Sequence, residues 1–398
     1  MKKLKSLLVG GLALVLAISL AVACAPAAPP GEEAAEEIAE LEAKIDELED
    51  DLTAEKAQTK DLKAEIAALK KPAEVFKWRT TTHQMVGTPR YDGTVAPFCE
   101  NVEEASDGRL IIEPYGAGVL FPVFDTFDNL RDGVVEMSMV WNGYWGGKDP
   151  VFALAGTRPG DPIATFSESF YLSEQLAPLR AEVFAKYGIK ALGGFDIASV
   201  EILCSTVPIR TLDDFEGLNI RTAGIGASFY PLLGASAVSL SMPEIYPALQ
   251  LGTVDAAEYN DYLVNGTLGF HEVTKYVIDP CLHMGTCDDK ELAVNPAAWA
   301  ELPDDLKALV IVARDQARYK SAIAYYIGNE TAKLEWIEAG VEIINLPEED
   351  VTYAREILAV GLLLEYAEKS PEAAEFIAIF ARVLNDLGYF ALAEALGY

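Results

Sequence analysis

The chain has 398 residues, enough for two or three domains at roughly 100–200 residues each. Lys and Arg total 31 against 62 Asp and Glu, and the formal net charge of −31 repels nucleic acid and anionic membrane surfaces. Any anion site must therefore be a local exception, and three histidines and five cysteines are too few for a His-rich metal centre or a disulfide-dense scaffold.

Residues 1–23 read as an address rather than a fold. Lys2, Lys3 and Lys5 precede an apolar stretch at 7–23 that is at the short limit for a membrane span of ~20 residues. The stretch ends Leu20-Ala21-Val22-Ala23-Cys24. Small residues before a cysteine resemble a bacterial lipoprotein signal, with cleavage before Cys24 and lipid on its sulfur; an ordinary secretory signal or a membrane anchor is the competing reading. Either cleaved form places the remainder outside the cytoplasm. Residues 24–31 are an Ala/Pro linker.

From 32 to 71 there is no Gly or Pro, and Ile38, Leu41, Ile45, Leu48 and Leu52 alternate by three and four before Leu62, Ile66 and Leu69 resume the frame. Ile mostly at a and Leu at d favours a two-stranded parallel coiled coil, a stalk ~55–60 Å long that would make the protein a homodimer. A lone solvated helix acting as spacer fits the same residues.

The body runs from about 74 to 398. Strands are predicted at 75–80, 110–114, 135–140 and 191–195, with helices at 95–106, 125–131 and 174–187 between them. This alternation argues for α/β layering with mostly parallel sheets. Helices predominate from 303 onward (304–328, 329–339, 348–368 and 371–387), broken by one strand at 341–346. Leu130-Arg131-Asp132-Gly133-Val134-Val135-Glu136 is echoed by Leu249-Gln250-Leu251-Gly252-Thr253-Val254-Asp255. Each reads as a helix end, a C′ glycine and a strand start, which suggests two lobes on one plan with a ligand cleft between them.

Phosphate-binding G-x-x-x-x-G-K-[ST], H-E-x-x-H, G-x-S-x-G and C-x-x-C are all missing, so nothing argues for an enzyme. His83 and His271 read as surface or structural residues. Arg221 closes an apolar strand at 218–220, ahead of a glycine-containing loop. An Arg at the carboxyl end of a strand faces the crevice of an α/β lobe, and its planar fork grips a carboxylate through two parallel hydrogen bonds. A surface salt bridge is the plainer use. Cys281 and Cys287 are close enough for a small disulfide loop, while free buried thiols remain equally open for all four body cysteines, Cys99 and Cys204 included.

Several phrases together carry a family resemblance. They are Gly116-Ala117-Gly118-Val119-Leu120, the run from Arg131 to Met137, that from Asp213 to Arg221, and that from Glu244 to Glu258. The body from Trp78 onward resembles the solute-binding subunit of a tripartite ATP-independent periplasmic (TRAP) transporter. Tyr144-Trp145-Gly146-Gly147-Lys148-Asp149-Pro150 and Asn295-Pro296-Ala297-Ala298-Trp299 are similar to the branch that takes 2-oxo and 2-hydroxy monocarboxylates. The resemblance implies a two-lobed periplasmic-binding-protein-like fold with a helical C-terminal region, no catalysis, capture of a small organic carboxylate, and delivery to membrane subunits of the transporter. It implies that Arg221 clamps the carboxylate, that Asn142 and Tyr144 face the ligand from the first lobe, and that Tyr259 walls the cleft. It also implies that Glu258 helps to hold a Na⁺ or Ca²⁺ ion beside the ligand. Two departures stand out. Where the branch carries Gln ahead of Gly-Gly-Trp-Phe, this chain has 199–205 with Glu201, and where it carries His-Glu-Pro-Gly the chain has His283-Met284-Gly285. Two arrangements therefore stay open: a cation bridging Glu258 and the ligand, with oxygens from Asp255 and Glu201, or Arg221 balancing the charge alone. The rival reading from another class is a lipid-anchored coiled-coil surface scaffold or adhesion protein whose binding domain has degenerated.

Overall fold

The computed structural model describes residues 31–69, 74–285 and 287–398. The leader, Cys24, all but the last residue of the 24–31 linker, and the Lys70-Lys71-Pro72 stop lie outside the described residues. The chain divides into two compact units, 1–73 and 74–398. In the first, the helix α1 (Glu32–Leu69) forms over 38 residues, as its strong helix formers require. Ile38, Leu48, Leu52, Leu62 and Ile66 are exposed along it in the single chain. No described helix is long and apolar enough to cross a membrane.

The second unit carries two sheets. In chain order its strands are β1 (Phe76–Thr82), β2 (Leu110–Tyr115), β3 (Met137–Trp141), β4 (Lys190–Ala198), β5 (Leu203–Ser205), β6 (Asn219–Arg221), β7 (Ser236–Val238), β8 (Ala256–Glu258), β9 (Tyr276–Ile278), β10 (Cys287–Val294) and β11 (Glu342–Ile344). The sheets run β2-β1-β3-β10-β4 and β11-β9-β5-β8-β6-β7. Both are mixed rather than mostly parallel. Strand β10 is antiparallel to β3 and β4, and β5 is antiparallel to β8 and β9. The cause is topological: the chain leaves the first sheet after β4 to enter the second at β5, and returns from β9 to β10. The crossover segments 199–202 and 279–285 therefore pass between the lobes, and the chain crosses again after β10 to place β11 in the second sheet.

The repeated phrase does what its residues suggest. Gly133 (φ 74°) and Gly252 (φ 69°) both adopt the left-handed conformation after a helix, and each is followed by a strand, β3 in one sheet and β8 in the other. The predicted helix at 174–187 begins earlier. As α2 (Phe166–Lys186) it starts at a capping box in which Thr165 Oγ1 accepts from Glu168 N and Glu168 returns to Thr165 N. The two helices expected over 304–339 are one, α3 (Asp304–Glu338), because no Gly or Pro breaker outweighs the tolerated Gly328. It packs on β4 and also on the helix Tyr262–Thr267 of the other lobe, with Leu263 N donating to Asn329 Oδ1 at 3.4 Å. The C-terminal α4 (Pro371–Asp386) packs on α2, and Phe376 and Phe380 join the buried Phe127, Phe152 and Phe184 in one core. The second lobe has its own core around Ile245, Leu249, Val277 and Trp336. Full burial of each such side chain contributes roughly 1.5–3 kcal/mol.

Candidate functional site

The carboxyl ends of β6 and β8 lie side by side, and each ends in a charge. Arg221 Nη1 stands 3.4 Å from Glu258 Oε2. The guanidinium is fixed by its backbone partners: Nε donates to Leu240 O at 3.1 Å and Nη1 to Glu258 O at 2.5 Å. Glu258 Oε1 accepts from Ala223 N at 2.7 Å, and the Tyr259 ring lies 5.6 Å from the Arg221 guanidinium carbon. Nη2 of Arg221 carries no hydrogen bond among the described residues, and the residue lines the cavity. After Ala223 the loop turns at Gly224 (φ 60°), where a Cβ would come within 2.8 Å of Thr157 Oγ1 and 3.1 Å of Trp141 in the other lobe. Only a glycine lets the lobes approach so closely beside Arg221.

The two crossovers bring further groups. His283 Nε2 lies 3.5 Å from Glu201 Oε2 and 3.8 Å from Glu258 Oε2, and its Nδ1 is 3.1 Å from Tyr230 Oη. Burial pushes the Glu201 carboxyl up, against the hydrogen bond from His283. Burial opposes charge on His283, but Cys281, Glu201 and Glu258 outweigh it and hold the imidazole well above its ordinary value. From the first lobe come Trp141, Tyr144, His83 and Lys290. Tyr144 meets Trp141, His83 and Phe124 edge to face at 5.1, 5.9 and 5.0 Å. Lys290 Nζ lies 3.3 Å from Asp196 Oδ1, and Asp196 in turn pairs with the fully buried Arg90 at 3.1 Å. Burial, helped by the Lys290 ammonium, lowers His83 from 6.5 to about 3, so it sits neutral on the wall.

These groups enclose an inner cavity of about 30 Å³. Of the residues singled out in the sequence, Arg221, Tyr144, Tyr259, Glu201 and Glu258 all line it. Asn142 does not: it is buried behind the wall while its neighbours Trp141 and Tyr144 face the cavity. Asp255 is engaged at the opposite end of β8, accepting from Asn219 N at 2.8 Å. His83 lines the cavity, beyond the structural role expected of it, whereas His271 packs on Trp336. Lys290 and Trp141 were missed, and His283 appeared only within a departure from the family pattern; Lys290 stands among Asp288, Asp289 and Glu291, where nothing in the sequence marks it out. Cys99, Cys204 and Cys281 are free and buried, and the side chain of Cys287 lies outside the described residues.

Glu201, Glu258 and His283 each bring one ligand atom within 4.8 Å of the others. The set does not fit a hard cation. Ca²⁺ takes six to eight oxygens at ~2.3–2.6 Å. Here one of three donors is an imidazole nitrogen, Glu258 is already held by Arg221 and Ala223, and Met284 adds a soft thioether to the wall.

The model of the family described as bacterial extracellular solute-binding protein, family 7, matches residues 82–368. A relative from Nostoc sp., the monocarboxylate 2-oxoacid-binding periplasmic protein, is 26 % identical over 285 residues, covering 71 % of this chain and 77 % of its own. A TRAP transporter solute-binding protein from Bordetella bronchiseptica is solved as a mixed-occupancy dimer with copurified calcium and picolinate. It is 25 % identical, with a TM-score of 0.72 over 81 % of this chain and 95 % of that one. A TRAP periplasmic solute-binding protein from Pseudoalteromonas atlantica, solved with sodium and pyruvate, has a TM-score of 0.71 at 24 % identity over 82 % and 100 % of the two chains, a likeness of fold. Nothing among these matches supports a surface scaffold or adhesion protein.

Proposed function

Since the chain belongs to family 7 of the bacterial extracellular solute-binding proteins, the extracytoplasmic receptors of TRAP transporters and not enzymes, we propose that its cleft captures a 2-oxo or 2-hydroxy monocarboxylate for a membrane permease. The observation that carries the reading is Arg221: a buried guanidinium lining the cavity, fixed by two backbone carbonyls, whose Nη2 has no hydrogen bond among the described residues. In a cavity shielded from water a carboxylate gains far more from that charge than it would in bulk solvent. Binding rests on domain closure, because a ligand that touches both lobes favours the closed form by its differential affinity. The name of the Nostoc relative and the pyruvate held by the Pseudoalteromonas fold relative agree with this class of ligand. We read Arg221 and His283, rather than a Na⁺ or Ca²⁺ ion, as the positive partners of Glu258 and Glu201. We further read Cys24 as a lipid anchor and the exposed Ile/Leu stripe of α1 as the seam of a dimeric coiled-coil stalk.

Arg221→Lys keeps the charge and loses the fork, and leaves Leu240 O and Glu258 O without their guanidinium donors. Affinity for pyruvate, measured by calorimetry, falls at least tenfold, about 1.4 kcal/mol. Unchanged affinity in Arg221→Lys and Arg221→Ala would refute the carboxylate clamp. Chelation and exchange of sodium for choline leave the wild-type affinity within twofold; a tenfold loss in either condition would restore the cation.

A further inference from the structure

Arg221 borders two cavities, and the contrast between them bears on what the ligand looks like. The inner one, about 30 Å³, gathers the charged groups Glu201, Arg221, Glu258, His283 and Lys290 against the uncharged Trp141, Tyr144, Tyr259 and Met284. A single water needs roughly 10–15 Å³, so the space admits a group the size of a carboxylate and not a whole organic acid. The outer cavity is about 670 Å³ and opens to solvent. The two share His83, Tyr144, Arg221 and Ala223, so they adjoin at Arg221.

The outer wall is chemically different. Met85, Val123, Phe124, Leu240, Met242 and Pro243 line it with glycines and alanines between them, and the hydroxyl residues among them, Thr222, Ser239 and Ser241, are uncharged. No Asp, Glu or Lys lines it, although the chain holds 62 Asp and Glu; Arg221 is its one charged residue among those described. A second carboxylate placed there would have no cation to meet. An apolar group would leave water for a wall that already offers aromatic, thioether and aliphatic contacts. A two- or three-carbon acid would leave this space to solvent.

Building on the carboxylate reading above, we propose that the ligand is a monocarboxylate with an apolar tail, aryl or branched aliphatic. Its carboxylate enters the inner cavity against Arg221, and its tail lies in the outer cavity against Phe124, Leu240 and Met242. The tail is the specificity element, and dicarboxylates of equal length are disfavoured.

The test is calorimetry at fixed pH and salt on the full chain with pyruvate, 2-oxobutyrate, 4-methyl-2-oxopentanoate, phenylpyruvate and the dicarboxylate 2-oxoglutarate. Affinity should rise about two- to fourfold per added methylene, with a progressively more negative heat-capacity change. Phenylpyruvate should exceed pyruvate by at least tenfold, and 2-oxoglutarate should bind more weakly than 4-methyl-2-oxopentanoate. In Met242→Asp, which places an acid in the favourable first turn of the helix Met242–Leu251, the phenylpyruvate-to-pyruvate affinity ratio should fall at least tenfold. Phe124→Ala should lower the same ratio by about threefold or more. Pyruvate binding as tightly as phenylpyruvate, or 2-oxoglutarate binding tightest, would overturn the tail and leave the carboxylate clamp standing. No binding of any acid would overturn both.

Discussion

Acidification should destabilise the body through His83, and one substitution isolates the effect. The imidazole is buried beside Lys290 and Arg90, with Asp196 as the opposing charge, and it stays neutral down to about pH 3. In the unfolded chain it protonates near its ordinary 6.5. Between these values the unfolded state binds the extra proton, so stability is fully present above pH 6.5 and is lost as pH falls through that window. The slope approaches 1.4 kcal/mol per pH unit, so roughly 2–3 kcal/mol disappears between pH 6.5 and 4.5. His83→Gln places a neutral side chain of similar reach at the same site, next to Gln84. Carboxylates that titrate in this range are common to both proteins and cancel in the difference. Urea unfolding at pH 6.5 and pH 4.5, followed by circular dichroism, should therefore show wild type losing about 2–3 kcal/mol more than His83→Gln. Parallel losses in the two proteins would refute a neutral buried His83.

Two other perturbations test the architecture around the site. Arg90 is fully buried and pairs with both Asp196 and Asp261 at 3.1 Å; Arg90→Met leaves two carboxylates without that partner and should cost about 3–5 kcal/mol by urea unfolding, with a cost under ~1 kcal/mol contradicting the pairing. A chain beginning at Ala73 should fold cooperatively and keep its ligand affinity within twofold while losing any dimer seen by sedimentation, because residues 74–398 form their own compact unit; failure to fold would show that α1 is needed by the body.

How much of the site was legible in the sequence depends on how each residue reaches it. Arg221, Glu258 and Tyr259 sit at or next to the ends of short strands, and a strand end preceding a loop can be read from apolar residues and glycines in one stretch of chain. Tyr144 was legible for a similar reason, in a local Trp- and Gly-rich turn. Asn142 shares that turn but not its outcome, because the run from Trp141 to Trp145 winds into a tight helical turn and only some of its side chains reach the wall. Periodicity cannot resolve which ones do.

Glu201 and His283 belong to the crossovers, segments without a period, and their meeting at 3.5 Å depends on the chain leaving one sheet and returning to it more than 80 residues later. The same return explains Lys290. It reaches the cavity because β10 inserts antiparallel between β3 and β4. A reading that predicted mostly parallel sheets had no place for that strand. Both sheets being mixed is thus more than a detail of topology. The two antiparallel insertions coincide with the first two passages between lobes, and those passages bring Glu201 and His283 to the cavity. A sequence reading that searches first for strands that change lobes would look for site residues in the segments just before β5 and β10, where this chain keeps Glu201 and His283.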